Sequence, residues 1–164
     1  MTSQLRVDKI VPVDGVPTGG GGGIIQVVGT QNTTQVSSTT TSLTSPTNSG
    51  MSVTITPKFT TSKILVMINA SIRGDGNNAY VNAMIKRNGT LIDYNSATYK
   101  GMLDYAFNHK AGHSSWNFFD SPNSTSALTY GFFFSRYGGS GTAYFNNNGG
   151  DLSCSTMTAM EISA

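Results

Sequence analysis

His109 and His113 stand four residues apart, a spacing that holds zinc when both side chains leave one face of a helix. Gly112 and the surrounding Asn, Lys, Ala and Ser build no amphipathic helix here, and no nearby carboxylate completes a ligand set. They read as two loop histidines. Asp75 in Gly74-Asp75-Gly76-Asn77-Asn78 and Asp151 after three asparagines could each offer oxygens to calcium, but neither stretch has the ligand count of a calcium loop. Both read as turn residues. Asp93, Asp104 and Asp120 show no paired-carboxylate spacing of the kind glycoside hydrolysis needs. Arg73-Gly74-Asp75 is the integrin-type tripeptide, better explained as a tight turn. Asn88-Gly89-Thr90 and Asn123-Ser124-Thr125 accept glycans only in a secretory pathway. The chain is expected to be no enzyme and to use neither metal nor cofactor.

Aromatic side chains are the remaining candidates. Phe118, Phe119, Phe132, Phe133, Phe134, Tyr144 and Phe145 fall on strand patterns, as core or subunit interface. Phe133 lies on the opposite strand face from Phe132 and Phe134, and Leu65 and Met67 oppose Ile64, Val66 and Ile68. Strands apolar on both faces point to burial against other copies of the chain. The candidate contacts between copies, trimer contacts if three meet, are therefore Leu65, Met67, Phe132, Phe133, Phe134 and Tyr144. Tyr94, Tyr99, Tyr105 and Tyr137, beside Asn and Gly, are placed to stack on sugars.

The elements that must position these residues are strands. Charged residues make up only 11% of the 164, against a usual figure of about 25%; Ser, Thr, Asn and Gly fill the polar positions, and Glu161 is the single glutamate. Such a composition disfavours helix interiors and suits pleated surfaces. The formal net charge of +2 is small and its basic residues are scattered, which argues against nucleic acid as a partner. No apolar run reaches the length of a membrane span. Met1-Thr2-Ser3-Gln4-Leu5-Arg6 lacks the features of a signal peptide, so a protein made and kept in a cytosol, or leaving it by lysis, is expected. Cys154 is the only cysteine; no intrachain disulfide can form, and it reads as a small buried residue of the last strand.

Along the body, Ile24 to Val28 predicts a short buried strand, and Thr30 to Asn48 exposed strands with a turn closed by Pro46-Thr47-Asn48-Ser49-Gly50. Met51, Val53 and Ile55 alternate with Ser and Thr up to Pro57. Ile64 to Ile72 line one face of a long strand that ends before Gly74. Val81, Ala83 and Ile85 give another strand, and Asn88-Gly89 the strongest hairpin signal. Asn95 to Ser114 predicts a long loop with a short strand. Further strands follow at Ser115 to Phe119, Ala127 to Arg136, Thr142 to Phe145 and Ser153 to Ile162, parted by Asp120-Ser121-Pro122 and by glycine and asparagine turns. Eight or more strands with turn signals roughly every ten residues predict an all-β antiparallel jelly-roll-like sandwich.

Five consecutive glycines, Gly19 to Gly23, divide the chain. Such a run is a flexible tether. The expected organisation is an anchoring arm over 1–17, a glycine-rich tether over 18–23 and a β-sandwich head over 24–164. Leu5 and Val7 alternate with polar residues, and Ile10 and Val11 follow before Pro12. This segment is too short to bury those groups alone, so Leu5, Val7, Ile10 and Val11 are the expected anchors, ordered by adding to a partner.

Leu5-Arg6-Val7-Asp8-Lys9-Ile10-Val11-Pro12, the glycines, and Ile24-Ile25-Gln26-Val27-Val28 together resemble the N-terminal segments of fibre-type structural proteins of tailed phages of cyanobacteria and marine bacteria. Ser52-Val53-Thr54-Ile55-Thr56-Pro57 followed by Thr61-Ser62-Lys63-Ile64-Leu65-Val66, then Lys86-Arg87-Asn88-Gly89-Thr90, Phe119-Asp120-Ser121-Pro122 and Ser155 to Ile162, resemble the body of those proteins in the same order. The resemblance covers most of the chain. It implies a virion protein, usually a homotrimer, labelled tail fibre or head fibre. The Asn-Gly hairpin and terminal apolar strand are also similar to trimeric jelly rolls of the tumour-necrosis-factor and complement-globular (C1q) type. The expected partners are two further copies, another virion protein (capsid, baseplate or tail component) met by the arm, and a host surface glycan. A capsid decoration protein and a stand-alone carbohydrate-binding module are the alternatives.

Overall fold

Alternation of apolar and polar residues decides this architecture, because each strand can bury only one face against a facing sheet. The computed structural model describes residues 23–76, 80–92, 102–104 and 111–163. Among them the chain forms β1 (Ile24–Asn32), β2 (Val36–Ser38), β3 (Thr47–Ile55), β4 (Lys63–Asp75), β5 (Tyr80–Arg87), β6 (Thr90–Leu91), β7 (Met102–Asp104), β8 (Ala111–Asp120), β9 (Leu128–Tyr137), β10 (Thr142–Phe145), β11 (Asn147–Asn148), β12 (Asp151–Leu152) and β13 (Ser155–Ile162). The arm and tether up to residue 22 lie outside the described residues. The ladder already takes in Gly23, whose carbonyl accepts from Ser163 N at 2.9 Å.

One sheet runs β8-β4-β13-β1; the other runs β3-β9-β5, with β6 and β7 both pairing β5. All pairs are antiparallel. Taking the long strands with β6 in chain order, the sheets read 1-8-3-6 and 2-7-4-5, the interleaving of a jelly roll. The core lies between them: Met51, Val53 and Ile55 of β3, Ile64, Val66, Ile68, Ala70 and Ile72 of β4, Val81, Ala83 and Ile85 of β5, and Leu128, Tyr130, Phe132 and Phe134 of β9. Phe132 stacks on Trp116 at 5.7 Å and meets Phe145 at 5.6 Å between ring centroids.

β4 is thirteen residues long and changes partner midway: Lys63 to Asn69 pair with β13, and Ile72 to Asp75 with β10. At that seam the ladder hydrogen bonds need substitutes. Asn146 supplies them from a left-handed backbone (φ 55°). Its N–H donates to Ser71 O, and its side chain accepts from Ser155 Oγ at 2.5 Å while donating to Asn32 O at 2.8 Å. Ser71 N donates in turn to Ser155 Oγ at 2.9 Å.

Several sequence expectations shift here. The stretch Thr47 to Gly50, expected as loop, belongs to β3, with a register irregularity between Asn48 and Ser52 and Gly50 at φ 77° absorbing it. Arg73-Gly74-Asp75 is the end of β4 and not a turn; Arg73 and Asp75 pair at 3.1 Å. β8 begins at Ala111, four residues earlier than its aromatics suggested, because β4 offers it a ten-residue edge. Cys154 precedes β13, half-buried, and accepts a hydrogen bond from Gln31 Nε2 at 2.8 Å. Asn88 and Gly89, at φ 49° and 83°, make the expected hairpin turn between β5 and β6.

Candidate functional site

Register places apolar side chains in rows on the outer face of the β8-β4-β13-β1 sheet. Val27 pairs with Met160, Met160 with Leu65, and Leu65 with Phe119. Beside that row, Ile24 pairs with Ile162; on the other side Met67 lies between Thr158 and Asn117. Their neighbours Ile64, Val66, Val28 and Ala159 point inward to the core, so these residues point out. Ile24 is 58% exposed, Val27 54%, Phe119 62% and Met67 39%. With adjacent strands about 4.8 Å apart, one row crosses some 14 Å of surface.

Further along the same face the residues become polar. Asn69, Ser115, Asn117, Thr156 and Thr158 line a shallow groove of about 270 Å³ beside Met67. His113 lies there, exposed, its Nδ1 3.0 Å from Asn69 Oδ1. Lys63, paired with Ile162, is the one charged side chain on these rows among the described residues. An apolar centre with little charge around it is the composition of a protein–protein interface core.

This geometry sorts the residues expected at a trimer contact. Leu65 and Met67 are in the apolar rows. Tyr144 is on the same face, paired with Arg73 eight positions along β4 from Leu65, about 26 Å away at strand spacing. It is half-buried with the Arg73 guanidinium 5.4 Å from its ring centre. Phe132 and Phe134 are corrected to core residues: both are fully buried and meet Phe145 inside the sandwich, so no second copy can reach them. Phe133 points outward, but from the other sheet. Phe119, read from the sequence as core or subunit interface, lies at the end of this row; Ile24, Val27, Met160 and Ile162 were missed because their alignment exists only once four strands are in register.

The outer face of the β3-β9-β5 sheet is built differently. Met84 pairs with Phe133 and is fully buried although it points away from the main core. Phe133 leans over Gly131, where a Cβ would come within 3.0 Å of its ring, and Lys86, paired with Gly131, holds its ammonium 4.8 Å from the ring centre. Two grooves of about 140 and 210 Å³ flank Lys86, the first lined also by Asn48, Ser52, Asn88 and Thr129, the second by Leu43, Thr44 and Leu91. Tyr137 lies at the far end of this sheet, against Tyr80 at 6.4 Å. Tyr94, Tyr99 and Tyr105, and the expected anchors Leu5, Val7, Ile10 and Val11, lie outside the described residues.

One cluster has the residue types of acid–base chemistry. Arg87 Nη1 donates to both Asp120 oxygens, at 2.7 and 2.6 Å, and Tyr130 OH donates to Asp120 Oδ2 at 2.6 Å. Burial raises the Tyr130 phenol above its ordinary range, and the hydrogen bond and charge of Asp120 push the same way against Arg87. For Arg87, desolvation lowers the pKa while Asp120 raises it, and Asp120 prevails. With Tyr130 fully buried and both Asp120 oxygens engaged, the cluster ties β8 of one sheet to β5 and β9 of the other. Its role is structural. Among the described residues no group of three or more His, Cys, Asp or Glu could hold a metal ion.

No protein-family model matches the chain, and no curated protein sequence matches it. Solved structures similar to it include the VP2 subviral particle of infectious bursal disease virus, at a TM-score of 0.42 and 15% identity, covering 85% of this chain and 37% of that one. The structure of the Gt strain of the same virus gives a TM-score of 0.42 and 15% identity over 98% of this chain and 43% of the other. The chain spans less than half the length of these proteins.

Proposed function

We propose that the chain is a non-enzymatic structural protein of a virus particle: a short trimeric fibre whose N-terminal arm attaches to the particle and whose β head faces outward. What carries the self-association is the bare row Val27-Met160-Leu65-Phe119, flanked by Ile24, Ile162 and Met67, with Lys63 the one charged side chain on these rows among the described residues. Exposed apolar groups gathered on one face mark an interaction site, and three copies meeting there cover it by closed symmetry. The resemblance to phage fibre proteins, running from the arm through the last strand, supports a virion setting. The glycine run gives the heads reach, and three clustered heads raise the avidity of weak surface contacts.

Within this setting the head adsorbs to a host surface as part of a tail fibre. The alternative, decoration of the capsid shell, uses the same arm and the same trimer. Light scattering coupled to size exclusion tests the assembly: a trimer is expected, and a clean monomer at micromolar concentration would sink it. Deleting residues 2 to 17 is expected to leave the head folded and to remove the protein from particles. Immunogold labelling on the tail or on the shell then decides between fibre and decoration.

A further inference from the structure

The two outer faces lie on opposite sides of the sandwich, so a trimer closed through the β8-β4-β13-β1 face displays the β3-β9-β5 face outward. On that displayed face the two grooves meet at Lys86. We infer that this site binds a carboxylate-bearing sugar, such as a uronic acid unit of a cell-surface polysaccharide, with Lys86 as its cation. The inference rests on the outward display proposed above.

The donor set points to an anion. Asn48 Oδ1 already accepts from Gly50 N at 2.9 Å, and Asn88 Oδ1 from Thr129 N at 2.8 Å. Each asparagine therefore keeps its Nδ2 group as a donor, and neither Nδ2 makes a hydrogen bond among the described residues. Lys86 forms no ion pair among the described residues, and no Asp or Glu lines either groove. One ammonium, two asparagine amides and the hydroxyl of Ser52 thus belong to residues that line one groove, with no Asp or Glu among its lining residues. Gly131 and Phe133 fix the lysine: the missing side chain at Gly131 lets the ring lean across, and the ring holds the ammonium between the grooves. Small open grooves with hydroxyl and amide edges and an aromatic side suit a single sugar ring better than a folded partner.

Isothermal titration of the full chain with a tetramer of galacturonic acid, against the same tetramer as its neutral methyl ester, tests this. The acid is expected to bind and the ester to bind at least about tenfold more weakly, the loss of one charge-assisted hydrogen bond. Lys86→Gln should remove the preference for the acid, Lys86→Arg should keep it, and Lys63→Gln on the opposite face should leave it unchanged. Equal losses from Lys86→Gln and Lys63→Gln would mean general charge attraction and overturn the site. So would equal binding of acid and ester, no binding at millimolar ligand, or binding of an oligoglutamate peptide in place of the sugar. Light scattering on the same samples separates the two ideas. A monomer that still prefers the acid sinks the trimer alone, whereas a trimer with no preference sinks this site alone.

Discussion

The two outer faces of the sandwich begin from the same sequence pattern and end in opposite states. β4 carries Leu65 and Met67 on its outer side, and β9 carries Phe133 on its own. Both strands are apolar on two faces. On β9 the chain answers its own problem: Met84 beside Phe133 is fully buried, and Phe133 packs over Gly131 under Lys86. On β4 nothing comparable follows. Leu65 is flanked by Met160 and Phe119, and the row ends in residues more than half exposed. A strand apolar on both faces is therefore a question put to the rest of the chain, and only the uncovered case argues for a partner.

The most direct way to break the comparison is to charge the bare face. Leu65→Asp with Phe119→Asp is expected to turn the proposed trimer into a monomer with an unchanged far-ultraviolet spectrum, because a charge buried between copies lacks a counter-ion. Stability of the parent should rise with protein concentration, as association stabilises the folded form, whereas the variant's should not. A variant that remains trimeric would move the contact elsewhere, with Phe133 the first place to look.

The second test stays on β9 and asks whether inside and outside differ as the register says. Phe132→Ala removes a fully buried ring between Trp116 and Phe145 and is expected to cost about 3–5 kcal/mol in urea unfolding. Phe133→Ala removes a half-buried ring and one cation–π contact, a loss of about 1 kcal/mol. Equal costs would mean that the outer layer is packed like the core.

Much of this was legible in the sequence. The alternation in Met51 to Ile55, Ile64 to Ile72 and Leu128 to Phe134 gave both the class and the inner faces correctly, because period two is set by backbone geometry alone. What the pattern could not carry was register. Phe132 and Phe134 looked as available to a neighbour as Phe133 until the facing sheet was placed over them. Val27 and Met160 are 133 positions apart in the chain and meet only through the β1–β13 ladder. Lys86 was hidden for a related reason: a lysine on a strand reads as a solvated side chain until Gly131 is known to sit opposite it.

A smaller effect separates the faces by what joins them. Tyr130 belongs to the strand of the covered face and holds Asp120, the last residue of β8 at the edge of the bare one. Its folded pKa stands above the ordinary 10.0. An acid whose pKa is raised on folding contributes stability below its unfolded pKa and loses it as pH climbs toward the folded value. Unfolding free energy is thus expected to fall above about pH 10, and Tyr130→Phe to flatten that fall relative to the parent. At neutral pH the variant should lose about 1.5–3 kcal/mol, the range for a hydrogen bond to a charged group. Parallel alkaline limbs in the two proteins would remove Tyr130 as the link.

Gly131→Ala carries the smallest expected change and the finest distinction. The glycine is not among the positive-φ residues, so its backbone accepts an alanine, and the atoms nearest the new methyl are those of the Phe133 ring, the first at 3.0 Å. Removing a glycine from a strand interior stabilises by about 0.5–1 kcal/mol through the unfolded chain, while the displaced ring gives back a similar amount of packing. The urea midpoint should therefore barely move. The Phe133 ring and the Lys86 ammonium should shift together in nuclear magnetic resonance spectra, because the ring positions the ammonium. A loss above about 2 kcal/mol would instead show a ring that cannot yield, making the outer layer of this sheet a second core and leaving the β8-β4-β13-β1 face alone as the molecule's adaptable surface.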